Sequence, residues 1–121
     1  MVGEDLRVRT RDFGLRVIRR VESLPGRRIA HALGGQLLRA GTSPGANYRS
    51  ACRAKSPADF ISKMGTVEEE LDESLYWMEM LLHSGLVAAN DVEWLMAEAD
   101  ELLAITVASI NTARGGRRGT E

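Results

Sequence analysis

Cysteine is nearly missing from this chain. The single thiol, Cys52, leaves no intrachain disulfide framework and fits a reducing compartment. Long apolar runs are missing too: nothing approaches the ~18 consecutive apolar residues that span a bilayer. The first residues, Met1-Val2-Gly3-Glu4-Asp5-Leu6-Arg7, have no apolar core of the kind a signal peptide carries. A cytoplasmic protein that does not engage membranes is expected. Histidine is scarce, with only His31 and His83. Neither has a glutamate three positions before it, which removes the Glu-x-x-His ligands of a di-iron helical bundle. Glu79 and His83 stand one turn apart and read as a surface pair rather than a metal site. There is no phosphate-cradling glycine loop and no serine with a matching histidine and acid. Acid pairs such as Glu69 with Glu73 read as a solvated face. No catalytic residue, no metal and no cofactor is expected, and the chain reads as non-enzymatic.

What is present is charge and helical periodicity. The 121 residues suffice for one domain with a real core. The net charge of −1 conceals an uneven distribution: residues 1–63 carry +8 and residues 64–121 carry −9. Such asymmetry suits either a polyanionic partner or two halves that neutralise each other on packing.

Four helices follow from the spacing. The first begins between Glu4 and Thr10 and runs to about Leu24, with Phe13, Val17, Ile18, Val21 and Leu24 as its apolar stripe. Leu24-Pro25-Gly26 stops it, and Arg11, Arg16, Arg19 and Arg20 read as solvated. The second runs from about Arg27 to Ala54. Its wheel places Ile29, Leu33, Leu37, Ala40, Pro44, Tyr48 and Ala51 inward and Arg28, Arg39, Arg49 and Arg53 within about 80° on the far side. Gly34, Gly41, Gly45 and Cys52 lie on a flank between them, where Cys52 reads as a buried small hydrophobe. Pro44 is expected to kink this helix, with Thr42, Ser43 or a neighbouring helix satisfying the freed carbonyl. A break at Ser43, with Pro44 opening a new helix, is the alternative.

Ser56-Pro57-Ala58-Asp59 is a helix start, with Ser as N-cap and Pro in the first turn. Phe60, Met64, Val67, Leu71, Leu75, Met78 and Leu82 then make the inner seam of the third helix. Glu68, Glu69, Glu70, Asp72, Glu73 and Glu79 cover its other sides, while Tyr76 and Met80 project from its back. His83-Ser84-Gly85 ends the helix, Gly85 serving as a left-handed cap. Asn90-Asp91 caps the fourth, which reaches about Ala113 with Val92, Leu95, Met96, Ala99, Leu102, Leu103, Thr106 and Ile110 inward. Trp94 and Ile105 lie off that face. The expected fold is all-α, an antiparallel up-and-down four-helix bundle over residues 1–114 with helix two long and kinked near Pro44. Residues 115–121 are expected to be a disordered tail.

Two features rise above this scaffold. The first is the arginine stripe, Arg28, Arg39, Arg49 and Arg53, suited to phosphates of RNA or DNA or to acids of helix three in the same or a neighbouring chain. The second is outward apolar surface at Tyr76, Met80, Trp94 and Ile105, together with Gly34, Gly41 and Gly45, which suggests a homo-oligomer interface.

The segment from Gln36 through Arg39-Ala40-Gly41-Thr42-Ser43 to Asn47-Tyr48-Arg49 matters here, as does Ser56-x-x-Asp59-Phe60-Ile61-x-Lys63-Met64-Gly65 and the later Leu75-Tyr76-Trp77. Over about residues 10 to 114 this pattern resembles the bacterial four helix bundle protein family, also called the ribosomal-RNA intervening-sequence protein family. Its relatives include the accessory variability determinant of diversity-generating retroelements. Arg39, Asn47 and Arg49 match the family's helix-two signature, and Asp59 and Phe60 match the start of helix three. The resemblance implies a small bundle assembled as a ring, typically a homopentamer. In the retroelement relatives it implies a basic surface that binds nucleic acid and a nucleic-acid enzyme. The chain departs from the pattern in placing Pro44 one position early and in its slightly acidic net charge. Two functions follow as expectations: a homo-oligomeric nucleic-acid-binding accessory module, or a purely structural protein-protein assembly scaffold.

Overall fold

In a computed structural model the backbone is described over residues 2–119 and the side chains over residues 5–115. Among the described residues there are four helices and no strand: α1 (Val2–Glu22), α2 (Arg28–Ala51), α3 (Pro57–His83) and α4 (Ala89–Gly119). Each packs on its neighbour in the chain, and α1 closes the circuit on α4. Phe13, Val17, Leu37, Met64, Leu71, Met78, Leu81 and Leu102 are fully enclosed between them. The buried hydroxyls of Thr10, Ser74 and Thr106 donate to the carbonyls of Leu6, Glu70 and Leu102, each at 2.8 Å. These donors are therefore satisfied within their own helices.

The helix boundaries are set by local chemistry. Ser56 Oγ accepts from the Asp59 N–H at 3.1 Å with Pro57 in the first turn, as its sequence demands. Gly85 stands at φ +79°, a left-handed geometry open to glycine and strained for other residues. The start of α4 differs from expectation. Ala89 opens it, and Asp91 lies inside the first turn, where its carboxylate accepts from the Ala88 N–H at 2.8 Å. That is the reach-back half of a capping box rather than the cap itself. Helix α4 also continues to Gly119 instead of ending near Ala113. The tail expected over 115–121 falls mostly outside the described residues: side chains from residue 116 and all of Thr120 and Glu121.

Helix α2 runs unbroken with Pro44 inside it, so the alternative break at Ser43 is not what the chain adopts. The hydroxyls of Thr42 and Ser43 donate to the Leu38 and Arg39 carbonyls, each at 2.7 Å. They do not serve Ala40, whose carbonyl Pro44 leaves without its helical donor. The buried face also differs from the one read off the wheel. Leu37, Ala40, Pro44, Tyr48 and Ala51 are buried as expected, but Ala30, Gly34 and Gly41 join them, while Ile29 is 55% exposed in the first turn. The glycine flank belongs to the interior because α1 lies against it.

Candidate functional site

The glycines come first because they set where α1 sits. A Cβ placed on Gly41 would stand 2.7 Å from Val17 Cγ2, and one on Gly34 would stand 2.8 Å from Leu24 Cδ1. A Cβ on Gly45 would meet the Thr10 backbone at 3.5 Å. Gly34, Gly41 and Gly45, expected at an interface between subunits, thus serve close approach between two helices of one chain. The small-residue strip was legible; its partner was not, because a helical wheel does not say which neighbour faces a flank.

That approach creates a groove of about 490 Å³ along the outer seam of α1 and α2. At one end Arg7 and Arg11 from α1 meet Arg49 from the last turn of α2 and Arg53 from the turn just after it. Further along, its floor is apolar, with Gly14, Ala46 and the exposed side chains of Leu15 (45%) and Ile18 (37%). Ile18, expected in the core stripe, instead lines this groove. Arg11 lies 3.4 Å from Asp12. Among the described residues, no carboxylate lies within ion-pairing distance of Arg7, Arg49 or Arg53. Beneath them, burial pushes the Tyr48 phenol up to about 12, helped by the Cys52 side chain beside it. Cys52 is exposed rather than buried.

The arginine stripe therefore divides. Arg49 and Arg53 join the groove. Arg39 turns to α3, where it lies 3.3 Å from Glu73 and 3.4 Å from the Gln36 side chain. Arg28 is far along the helix, beside a separate depression near Leu24, Pro25, His31 and Leu38. Arg7 and Arg11 were passed over as site residues. The available signal was a pair of i, i+4 arginines near the start of one helix and another near the end of the next.

Next to the Arg39 contact, Asn47 Nδ2 donates to Glu70 Oε1 at 2.9 Å and to the Ser43 carbonyl at 3.3 Å. Burial holds the Glu70 carboxyl above the ordinary glutamate range, with the hydrogen bond from Asn47 acting in the opposite sense. Asn47, singled out by its place in the signature, is thus a tie between α2 and α3.

On α3 the outward face is as expected. Tyr76 is 51% exposed and Met80 is exposed beside it. Glu69, Asp72, Glu73 and Glu79 lie within about 60° of Tyr76 around the helix and are all exposed. Of these acids only Glu73 has a cationic partner among the described residues. The Tyr76 ring meets Trp77 edge-on, centroids 5.0 Å apart, and the Trp77 Nε1 is buried without an acceptor among the described residues. Trp94 and Ile105 separate from this surface. The Arg16 guanidinium lies 3.9 Å over the Trp94 ring, and Ile105 is half-buried against the core. Ile105 has an intrachain home after all.

Among the described residues no three His, Cys, Asp or Glu side chains gather as a metal ion requires, and no helix is long and apolar enough to cross a membrane. Fold and surface together define a small all-α bundle with a charged, partly apolar exterior. The chain belongs to the 23S rRNA-intervening sequence protein family, whose model matches residues 4–108. It is similar to a solved protein of unknown function of the S23 ribosomal protein family from Bacteroides thetaiotaomicron VPI-5482. The two share 28% identity, with a TM-score of 0.86 over 92% of this chain and 99% of the other. No curated protein matches the chain.

Proposed function

We propose that the protein acts without catalysis, as a bundle that assembles with copies of itself. Several opposed registers support an antiparallel up-and-down course for that bundle. As α2 rises from Gly34 to Gly45, its contacts on α1 fall from Val21 to Thr10. Arg39 meets Glu73 while the later Asn47 meets the earlier Glu70. On α4, Arg9 meets Glu98 while the later Arg20 meets the earlier Asp91. Pro44, with its two back-bonded hydroxyl neighbours, is where α2 bends in this reading.

The observation that carries self-assembly is the α3 back face, where Tyr76 and Met80 stay uncovered within a rim of acids. Large apolar groups held at the centre of a polar rim are what a protein interface presents. A ring of five is the assembly that the family resemblance implies. Light scattering on the purified protein is expected to give a fixed multiple of the chain mass, and Tyr76→Glu with Met80→Glu is expected to reduce it to monomer. A wild-type monomer at high concentration would refute the reading.

A second reading keeps the nucleic-acid expectation. It is favoured by Arg7, Arg49 and Arg53, which have no carboxylate partner among the described residues, with Arg28 exposed elsewhere on α2. Phosphate contacts through them would be independent of base sequence and would weaken by roughly 0.9 log units per log unit of salt for each duplex phosphate neutralised. Titration with generic RNA and DNA at two salt concentrations is the measurement. Absence of binding at low salt leaves assembly as the whole function.

A further inference from the structure

The groove and the α3 back face are counterparts. Each has a charged end and an apolar end, and the charges are opposite in sign. On α1 the groove runs from Arg7 and Arg11 to Leu15 and Ile18. On α3 the face runs from Glu69 and Asp72 to Tyr76 and Met80, with Glu79 at the rim of its apolar end. From Arg7 to Ile18 and from Glu69 to Met80 the helix advances about 16 Å in both cases. Unspent charge also matches among the described residues: Arg7, Arg49 and Arg53 have no carboxylate partner, and Glu69, Asp72 and Glu79 have no cationic one.

We propose that the α3 back face of one copy docks in the α1–α2 groove of the next, its Glu69 and Asp72 over the four arginines and Tyr76 and Met80 over Leu15 and Ile18. This rests on the self-assembly reading and gives it an interface. An apolar floor favours a protein occupant over phosphate alone, because a nucleic-acid backbone leaves Leu15 and Ile18 facing water. The order of features also fixes a direction. Acid precedes apolar along α3, and base precedes apolar along α1, so the docked α3 runs the same way as the α1 it covers. In an up-and-down bundle α1 and α3 of one chain already run the same way, so successive copies point alike. The two patches differ, making the contact heterologous, and repeated contacts of that kind close into a ring when the rotation allows. A two-fold dimer is not what this contact builds.

Charge reversal on exposed positions is the test. Glu69→Arg with Asp72→Arg, and separately Arg49→Glu with Arg53→Glu, are each expected to weaken assembly at least about 100-fold, because like charges then oppose across the contact. All four changes in one chain are expected to restore the wild-type mass by light scattering. Circular dichroism confirms that each variant remains helical. An independent check uses Tyr76→Cys with Ala46→Cys in a Cys52→Ser background, which is expected to form intermolecular disulfides under mild oxidation. Wild-type mass in both reversal pairs, or no rescue in the fourfold variant, overturns the docking while self-assembly stands. Unchanged mass with lost RNA binding in Arg49→Glu with Arg53→Glu assigns the groove to nucleic acid and overturns it as well. A monomeric wild type removes the self-assembly reading and the docking together.

Discussion

Helix α1 is held on its two sides by different physics. Toward α2 it meets glycine, and the seam is dry: Gly41 accepts Val17 against its bare backbone, and Phe13 and Val17 are fully enclosed. Toward α4 the contact is thinner and polar. There Arg9 donates through Nε and Nη2 to the two Glu98 oxygens at 3.0 and 2.8 Å and reaches Glu101 at 2.9 Å. Arg20 lies 3.7 Å from Asp91, and Arg16 covers Trp94. Close packing depends on shape and is indifferent to salt, whereas ion pairs at a surface depend on charge and are screened. The first seam therefore fixes the position of α1, and the second holds it with groups that water can replace.

The sharpest way to break this contrast is at Gly41. An added Cβ collides with the stiff, β-branched Val17 at its Cγ2, Cγ1 and Cβ, at 2.7, 2.9 and 3.1 Å, so no free chain end can swing aside. Alanine normally gains about 1 kcal/mol over glycine in a helix. Overpacking is expected to outweigh that and leave Gly41→Ala less stable by about 1–2 kcal/mol. Urea unfolding measures it, and a stabilised variant would mean that the seam is looser than its geometry.

The polar seam gives the next effect. The paired carboxylates hold the Arg9 guanidinium above its ordinary pKa, chiefly through the Glu98 hydrogen bond. Arg9→Ala is expected to cost about 1–2 kcal/mol, as hydrogen bonds to charged groups generally do. Raising salt toward 1 M should shrink that difference and leave the Gly41→Ala difference unchanged. If both respond equally to salt, the two seams are not distinct in kind. Arg16→Ala comes third, at about 0.5–1 kcal/mol for an exposed cation–π contact over Trp94. Quenching of Trp94 fluorescence alongside unfolding would separate a local loosening from a global one.

Period was legible in the sequence and direction was not. The spacing of Phe60 through Leu82 and of Val92 through Ile110 placed the inner faces of α3 and α4 closely, because each has one continuous apolar stripe. On α2 the stripe is broken by Gly34, Gly41 and Pro44, residues that hydropathy treats as neutral, so the inward face was drawn too close to Ile29. The groove failed for a related reason. Arg7 and Arg11 are ordinary surface residues in a one-helix view, and only the pairing of the start of α1 with the end of α2 brings them to Arg49 and Arg53. Outward residues on α3 were found readily, since Tyr76 and Met80 interrupt a polar face and need no partner to be noticed.

The smallest expected effect is the one that most sharpens the contrast, because it carries the opposite sign. Gly34 lies on the same flank as Gly41, seven residues earlier, and a Cβ there meets Leu24 Cδ1 at 2.8 Å and Val21 Cγ1 at 3.3 Å. The nearer atom is the tip of a flexible side chain in the turn after α1, and Leu24 is only partly buried. It can rotate toward solvent at little cost, whereas Val17 cannot move without moving α1. The helical preference of alanine then dominates, and Gly34→Ala is expected to raise stability by about 0.5 kcal/mol. Thermal unfolding of the two variants side by side reads the difference directly. Opposite shifts mean that the seam tightens from the Leu24 end toward the middle of α1. Destabilisation by both would instead place the whole length of α1 under the same close packing, and the Leu24 turn would then be as fixed as the helix it follows.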